Sequence, residues 1–365
     1  MAKQPLQTLL QLEFDQVNVS DDLLPDLLSF RYDDKETNEA DEVSISLKDP
    51  DGKWAGRWKP KGGESVQAWI IEGATDGIGP EIYCGKFFVD SLRVSGAPRV
   101  MEIRAVSVPL NTPIRKKLKS RAWEKQTLKD IAQSIAKENG VGLQYYVEDD
   151  DYTFERQNQD RESDLQFLSK LCDAAGYSLK VTDDALVIFD QLSYEKKKPI
   201  KTYTLGESPI MGWDFESQQS ETYKSVTVSY RDPSKKKKGS AGGYALDEHG
   251  KLVSTGGKSN PAVMQYTYED PNADADGQEY SLKTRATSIS EARRLAQAKL
   301  HELNRRSITG SLSVVGDVGL VAGEVIEIKG FGSFDGNFII EAASHSVDTN
   351  GYTTSLTLRR TNSNY

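Results

Sequence analysis

Two cysteines, Cys84 and Cys172, are too few in 365 residues for a disulfide framework or a thiolate metal cage. Each reads as a small buried apolar residue of a protein made in a reducing compartment. Histidine is nearly as scarce: His249, His301 and His345 are scattered, in no metal or nucleophile spacing. No apolar run approaches the roughly 20 residues of a membrane span. The opening MAKQPLQTLLQLEF has one early lysine but no apolar core and no small-residue cleavage site, so no signal peptide is expected. Positive charge is also short. Forty-six Lys and Arg against 55 Asp and Glu give a net charge of −9, which disfavours nucleic acid or an anionic membrane as the partner of the whole chain.

What is present is patterned. The length favours two or more domains. Residues 1 to about 112 read as strands: VSISLKD places Val43, Ile45 and Leu47 on one face, DPDGKW follows as a turn, and SVQAWIIEG, KFFVDSLRV and RVMEIRAVSV continue the series. Strands at this spacing argue for a barrel or sandwich. The character then changes. Thr127 with Asp130 caps a helix whose apolar face is Leu128, Ile131, Ala132, Ile135 and Ala136, and Gly140 ends it. Ser163 with Gln166 is a second capping box; Leu165, Leu168 and Cys172 share the face behind it, and Gly176 is the stop. YSLKV and ALVIFD form a hairpin, so residues 113–192 read as a small α+β unit.

Strands return with KTYTL and SVTVSY. Between Arg231 and Ser288 lies a polar, Gly/Ser-rich stretch that reads as a long mobile loop. A helix follows, with Ala292, Leu295, Ala296, Leu300 and Leu303 along one side, and then GEVIEIKG, GNFIIEAASHSV and YTTSLTLRR as strands joined by the turns FDG and DTNG.

The candidate sites are few. Glu162 and Asp164 flank the capping Ser163; paired carboxylates suit acid/base chemistry, yet acids at a helix start are also what the helix dipole favours. No nucleophile or histidine stands beside them, so a helix start is the reading adopted. NADADGQEY has the first half of a calcium loop, Asn272, Asp274, Asp276 and Gly277, but Lys283 stands where a bidentate glutamate is needed. EDDD at 148–151 reads as an exposed turn. Lys235, Lys236, Lys237 and Lys238 form a basic run in the loop, without the aromatic interleaving of a nucleic-acid surface, and are the one candidate partner-contact segment. GFGSFDG lacks the spacing of a phosphate loop, His345 in a strand reads as packed and hydrogen-bonded, and Trp54, Trp58 and Trp69 read as core or interface aromatics. No catalytic, cofactor or metal constellation is expected.

Taken in order, ADEVSISLKDPDGKW, CGKFFVDSLRVSGAPRVMEIRAVS, SRAWEKQTLKDIAQSIAKENG, QDRESDLQFLSKLCDAAGYSLKV, EARRLAQAKL and AGEVIEIKGFGSFDGNFIIEAASHSVDTNGYTTSLTLRR resemble the late control protein D family, the baseplate hubs of contractile-tailed phages, tailocins and contractile injection systems. The RESDLQFLSKLCDAAGYSL segment also resembles the hub part of VgrG spike proteins. The resemblance implies a β-rich α+β fold: a first tail-tube-like β-barrel over 1–112, an α+β domain over 113–195, a second barrel from 196–231 with 309–365, and a loop-and-helix insertion over 232–308. It implies a structural, non-enzymatic protein without cofactor. This would be a homotrimeric ring, made in the bacterial cytoplasm and built into a tail baseplate, joining the hexameric tail tube to the trimeric spike beside other baseplate proteins. Membrane and stable nucleic-acid binding are not expected. Because the chain ends after its last strand, the spike is expected to be a separate polypeptide. In such a ring the acids Asp33, Asp34, Glu36, Glu39, Asp41 and Glu42 would either solvate an outer face or line a bore that is not net positive, with Lys235 to Lys238 pointing away. The alternative is a tail-associated peptidoglycan hydrolase with Glu162 and Asp164 as acid and base.

Overall fold

Alternation builds the first strands. Val43, Ile45 and Leu47 are at most 1 % exposed while their neighbours face outward. The computed structural model describes residues 8–36, 40–73, 79–107, 113–147, 153–182, 184–218, 222–231, 244–246, 252–254, 263–270, 277–286 and 289–361. The chain begins with β1 (Leu9–Phe14), β2 (Val17–Asn18), α1 (Ser20–Leu23), β3 (Leu27–Lys35), β4 (Glu42–Lys48), β5 (Ser65–Ile71), β6 (Glu81–Ser95) and β7 (Val100–Val106). It continues with α2 (Pro113–Lys116), β8 (Lys119–Thr127), α3 (Leu128–Asn139), β9 (Gly142–Tyr146), β10 (Thr153–Glu162), α4 (Asp164–Ala175), β11 (Tyr177–Val181), β12 (Ala185–Asp190) and α5 (Gln191–Glu195). Next come β13 (Lys201–Thr204), β14 (Ile210–Ser217), β15 (Tyr223–Arg231), β16 (Tyr244–Leu246), β17 (Leu252–Ser254), β18 (Val263–Glu269) and β19 (Gln278–Ala286). The last elements are α6 (Ile289–Asn304), β20 (Ile308–Val315), β21 (Val325–Lys329), β22 (Gly336–Asp348) and β23 (Gly351–Arg360).

The two β regions share one sheet. Its path is β14-β20-β23-β22-β3-β4-β7-β6-β5-β1-β2, with β21 pairing β22 and β13 pairing β21. The seam is β3 against β22, antiparallel from Ser29 opposite Asp348 to Lys35 opposite Ala342. Each side of the seam keeps its own core. Phe30, Ile45, Ile70, Phe87 and Ile103 pack on one side, and Tyr203, Leu312, Ile328, Phe338 and Leu358 on the other.

The α+β unit forms as its caps dictate. Thr127 and Asp130 bond reciprocally, as do Ser163 and Gln166, and Gly140 and Gly176 end α3 and α4 in the left-handed conformation. Gly176 is also a close approach: a Cβ there would stand 2.8 Å from that of Ala298 on α6. β11 and β12 pair as the expected hairpin, and β9 adds in parallel to β12. The β8–β10 pair carries no clean apolar alternation in its sequence and was not expected.

The region after β14 departs from the sequence reading. β15, read as part of the second β region, pairs instead with β18 and β19 in a five-stranded sheet of order β17-β16-β18-β15-β19. Residues 263–269 and 278–286, read within a loop, are strands of that sheet. They are held by α6, whose Ala292, Ala296 and Leu300 pack on Val226, Val228, Met264 and Tyr266. Three tyrosines, at 266, 268 and 280, supply apolar area in a stretch whose Gly, Ser and charge content suggested none, and Tyr223 of β15 joins them.

Candidate functional site

The two carboxylates around Ser163 separate in space. Asp164 opens α4 with no solvent exposure. Its carboxylate accepts from Lys119 at 2.5 Å and Arg121 at 2.9 Å, both on β8, and from Asn139 at the end of α3 and Gln159 on β10, each at 3.0 Å. Burial pushes its pKa up, but the hydrogen bonds from Gln159, Lys119 and Asn139 and the charge of Arg121 outweigh that, and the group lies below the ordinary aspartate value. Glu162 faces the other way, pairs with Lys170, and lines a surface cavity that Asp164 does not reach. A general acid needs a raised pKa and access to substrate; Asp164 has neither. The helix-start reading is therefore incomplete for Asp164: it ties four elements together rather than merely meeting a helix dipole.

The acids expected on a solvated face or bore wall are ion-paired. Asp34 and Asp41 are 4 % and 7 % exposed and both face Lys180 of β11, at 2.5 and 3.3 Å. Burial raises Asp41 to about 6 although Lys180 opposes the shift. Asp33 pairs with Arg31, and Glu42 takes Arg104 at 2.5 Å. Glu36 meets Arg359, and Glu39 lies outside the described residues. Five of the six are thus contacts within the subunit, which removes them as evidence for an acidic bore.

Arg359 is the centre of a third cluster. Fully buried on β23, it pairs with Glu195 of α5, with Glu341 of β22 at 3.2 Å and with Glu36 after β3 at 3.5 Å. Glu195 also bonds His301 of α6 at 2.9 Å. Burial would raise Glu195, but the His301 hydrogen bond and the Arg359 charge hold it down at about 2. These contacts join both β regions, the α+β unit and the inserted helix at one point. Sequence reasoning missed the cluster because its members are up to 323 residues apart.

His345 is packed as expected. Its Nε2 stands 3.0 Å from the Leu320 carbonyl, which can only accept, so Nε2 carries the proton and Nδ1 accepts from the Tyr352 hydroxyl at 2.7 Å. Burial lowers its pKa. Cys84 and Cys172 are buried and form no disulfide with each other. Trp54 is buried and donates to Asp26 at 3.0 Å, while Trp58 is exposed at its edge. Lys235 to Lys238, residues 148–151 and Asn272 to Asp276 lie outside the described residues. Among the described residues no group of His, Cys, Asp and Glu could hold a metal ion.

One exposed apolar surface stands out. β14 ends the large sheet and pairs only with β20 among the described residues. It exposes Met211 and Trp213, at 62 % and 53 %, beside Val315 at 53 %. Trp213 and Phe215 meet Phe331 edge to face, at ring distances of 5.2 and 5.3 Å. Gly310 on β20 makes room for the Phe215 ring, which any Cβ there would strike. At the other end of the sheet β2 has two residues, with Val17 exposed. PIMGWDFES carries a signal for this edge: Met211, Trp213 and Phe215 alternate with Gly212 and Asp214 and so line one face of β14.

The chain is similar to known tail proteins over nearly all its length. The family model described as phage tail baseplate hub (GPD) matches residues 100–351. The probable baseplate hub protein of Escherichia phage P2 is 26 % identical over 363 residues, covering 95 % of this chain and 92 % of its own. That of Escherichia phage 186 is 26 % identical over 352 residues, covering 91 % and 87 %. The 43 kDa tail protein of prophage MuSo2 from Shewanella oneidensis superposes with a TM-score of 0.69 at 13 % identity, covering 97 % of this chain and 98 % of that one, and so shares its fold.

Proposed function

The chain belongs to the phage tail baseplate hub (GPD) family, and from that premise we propose that it is a baseplate hub, three copies of which close into a ring joining the hexameric tail tube to the trimeric central spike. The observation that carries the ring is the sheet itself. Its main path runs unbroken across both β regions and, among the described residues, ends in two unlike edges, an apolar β14 and a short β2, with β13 as the edge of a side branch. Unlike edges of one subunit favour head-to-tail contact, which closes into a ring when the rotation fits. An exposed apolar edge strand left open in solution is an aggregation hazard, and a partner strand removes it.

Each subunit is read as two tube-like β domains meeting at the β3–β22 seam, so that three copies match a sixfold tube. The α+β unit lies between them in sequence, and the five-stranded sheet with α6 is an insertion. The role is structural rather than enzymatic. Asp164 is sealed and held ionised, which suits a strut and not an acid catalyst. Purified protein is expected to release no soluble fragments from peptidoglycan; release abolished by Glu162→Gln would establish the hydrolase instead. Chemical crosslinking of assembled particles tests the ring: a trimer ladder is expected, and a ladder continuing to six would refute it.

A further inference from the structure

A cavity of about 420 Å³ opens on the α+β unit beside α4, at the small end of the roughly 300–1,000 Å³ typical of ligand sites. Leu165, Leu179 and Val181 give it apolar walls. Among the described residues its charged lining is Arg115, Lys170 and Glu162, and Glu162 is taken by Lys170. Arg115, on α2, is left over. Its Nε is buried without a hydrogen-bond partner. Burial moves its pKa downward, and among the described residues no carboxylate opposes the shift. A half-buried guanidinium without an anion is unfavourable, and a carboxylate meeting its planar fork by two hydrogen bonds is the matching ligand.

Among the described residues, none supplies that anion. Residues 108–112, just before α2, contain no acid.

We propose that this cavity docks an acidic segment of a partner protein, whose carboxylate pairs with Arg115 while an adjoining apolar side chain covers Leu165, Leu179 and Val181. The inference does not depend on the ring, since any partner carrying such a segment would fit. Two measurements test it. The full chain is titrated with the capped tripeptides Leu-Glu-Leu and Leu-Gln-Leu, followed by amide NMR shifts. The acidic peptide should bind about tenfold more tightly, a difference of about 1.4 kcal/mol. Arg115→Met should erase the preference, and Arg115→Lys, which keeps the charge but not the fork, should retain part of it. Equal binding of the two peptides by the wild type, or an unchanged preference in Arg115→Met, would overturn the proposal. In assembled particles, a photo-crosslinking residue replacing Ser169 should capture a different polypeptide, with capture reduced by Arg115→Met. Capture of only a second copy of this chain, or of nothing, would overturn it as well.

Discussion

Asp164 shows how a residue can be read correctly in sequence and still be undervalued. Its place after Ser163 announces a helix start, but its four donors come from β8, β10 and α3, and no local pattern reports them. Removing one partner of a buried ion pair is strongly destabilising, so Asp164→Ala should lose roughly 3 kcal/mol of unfolding free energy. Glu162→Ala breaks a pair whose lysine is largely exposed and should lose under about 1 kcal/mol. Urea unfolding of the two variants checks the contrast, and equal losses would mean that Asp164 is no strut. Glu195 gives a pH-dependent counterpart. Its folded-state value is depressed to about 2, so the stability it contributes is present above the ordinary glutamate value of 4.5 and is lost as pH falls toward 2. Glu195→Gln should therefore be less stable than wild type at pH 7, with the gap closing between pH 4.5 and 2. A gap independent of pH would show that the ionised form is not what the cluster uses.

Elements with strict periodicity were legible. The alternation of β4, the capping boxes of α3 and α4 and the helical stripe of α6 each declare themselves within a dozen residues. β8, β10 and the strands after β14 were not, because their stability comes from partners distant in sequence. β10 is almost wholly polar and is ordered by β8, and β18 and β19 are ordered by α6. A consequence follows for exchange. Amides of β15, central between β18 and β19 and covered by α6, should exchange slowly in the free protein. Rapid exchange at Val226 and Val228 would contradict this packing. At β14, Trp213→Lys should leave the melting temperature nearly unchanged, since the ring is half exposed, while lowering incorporation into particles several-fold. Normal incorporation would remove β14 from the interface.

At the scale of the molecule, a single sheet crosses both β regions, the ionic clusters around Lys180 and Arg359 fasten other units to it, and the cluster around Asp164 holds the α+β unit together. Such a subunit is built to keep its edges in fixed positions, which is what a ring between a tube and a spike requires. Composition favoured a partner other than nucleic acid, but the number of copies is a property of the assembly that no residue pattern states. The direct measurement is a cryo-electron reconstruction of the assembled tail, without imposed symmetry at the hub layer. Three copies are predicted, with β14 of each against its neighbour. One or six copies, or three with β14 facing solvent, would contradict the account.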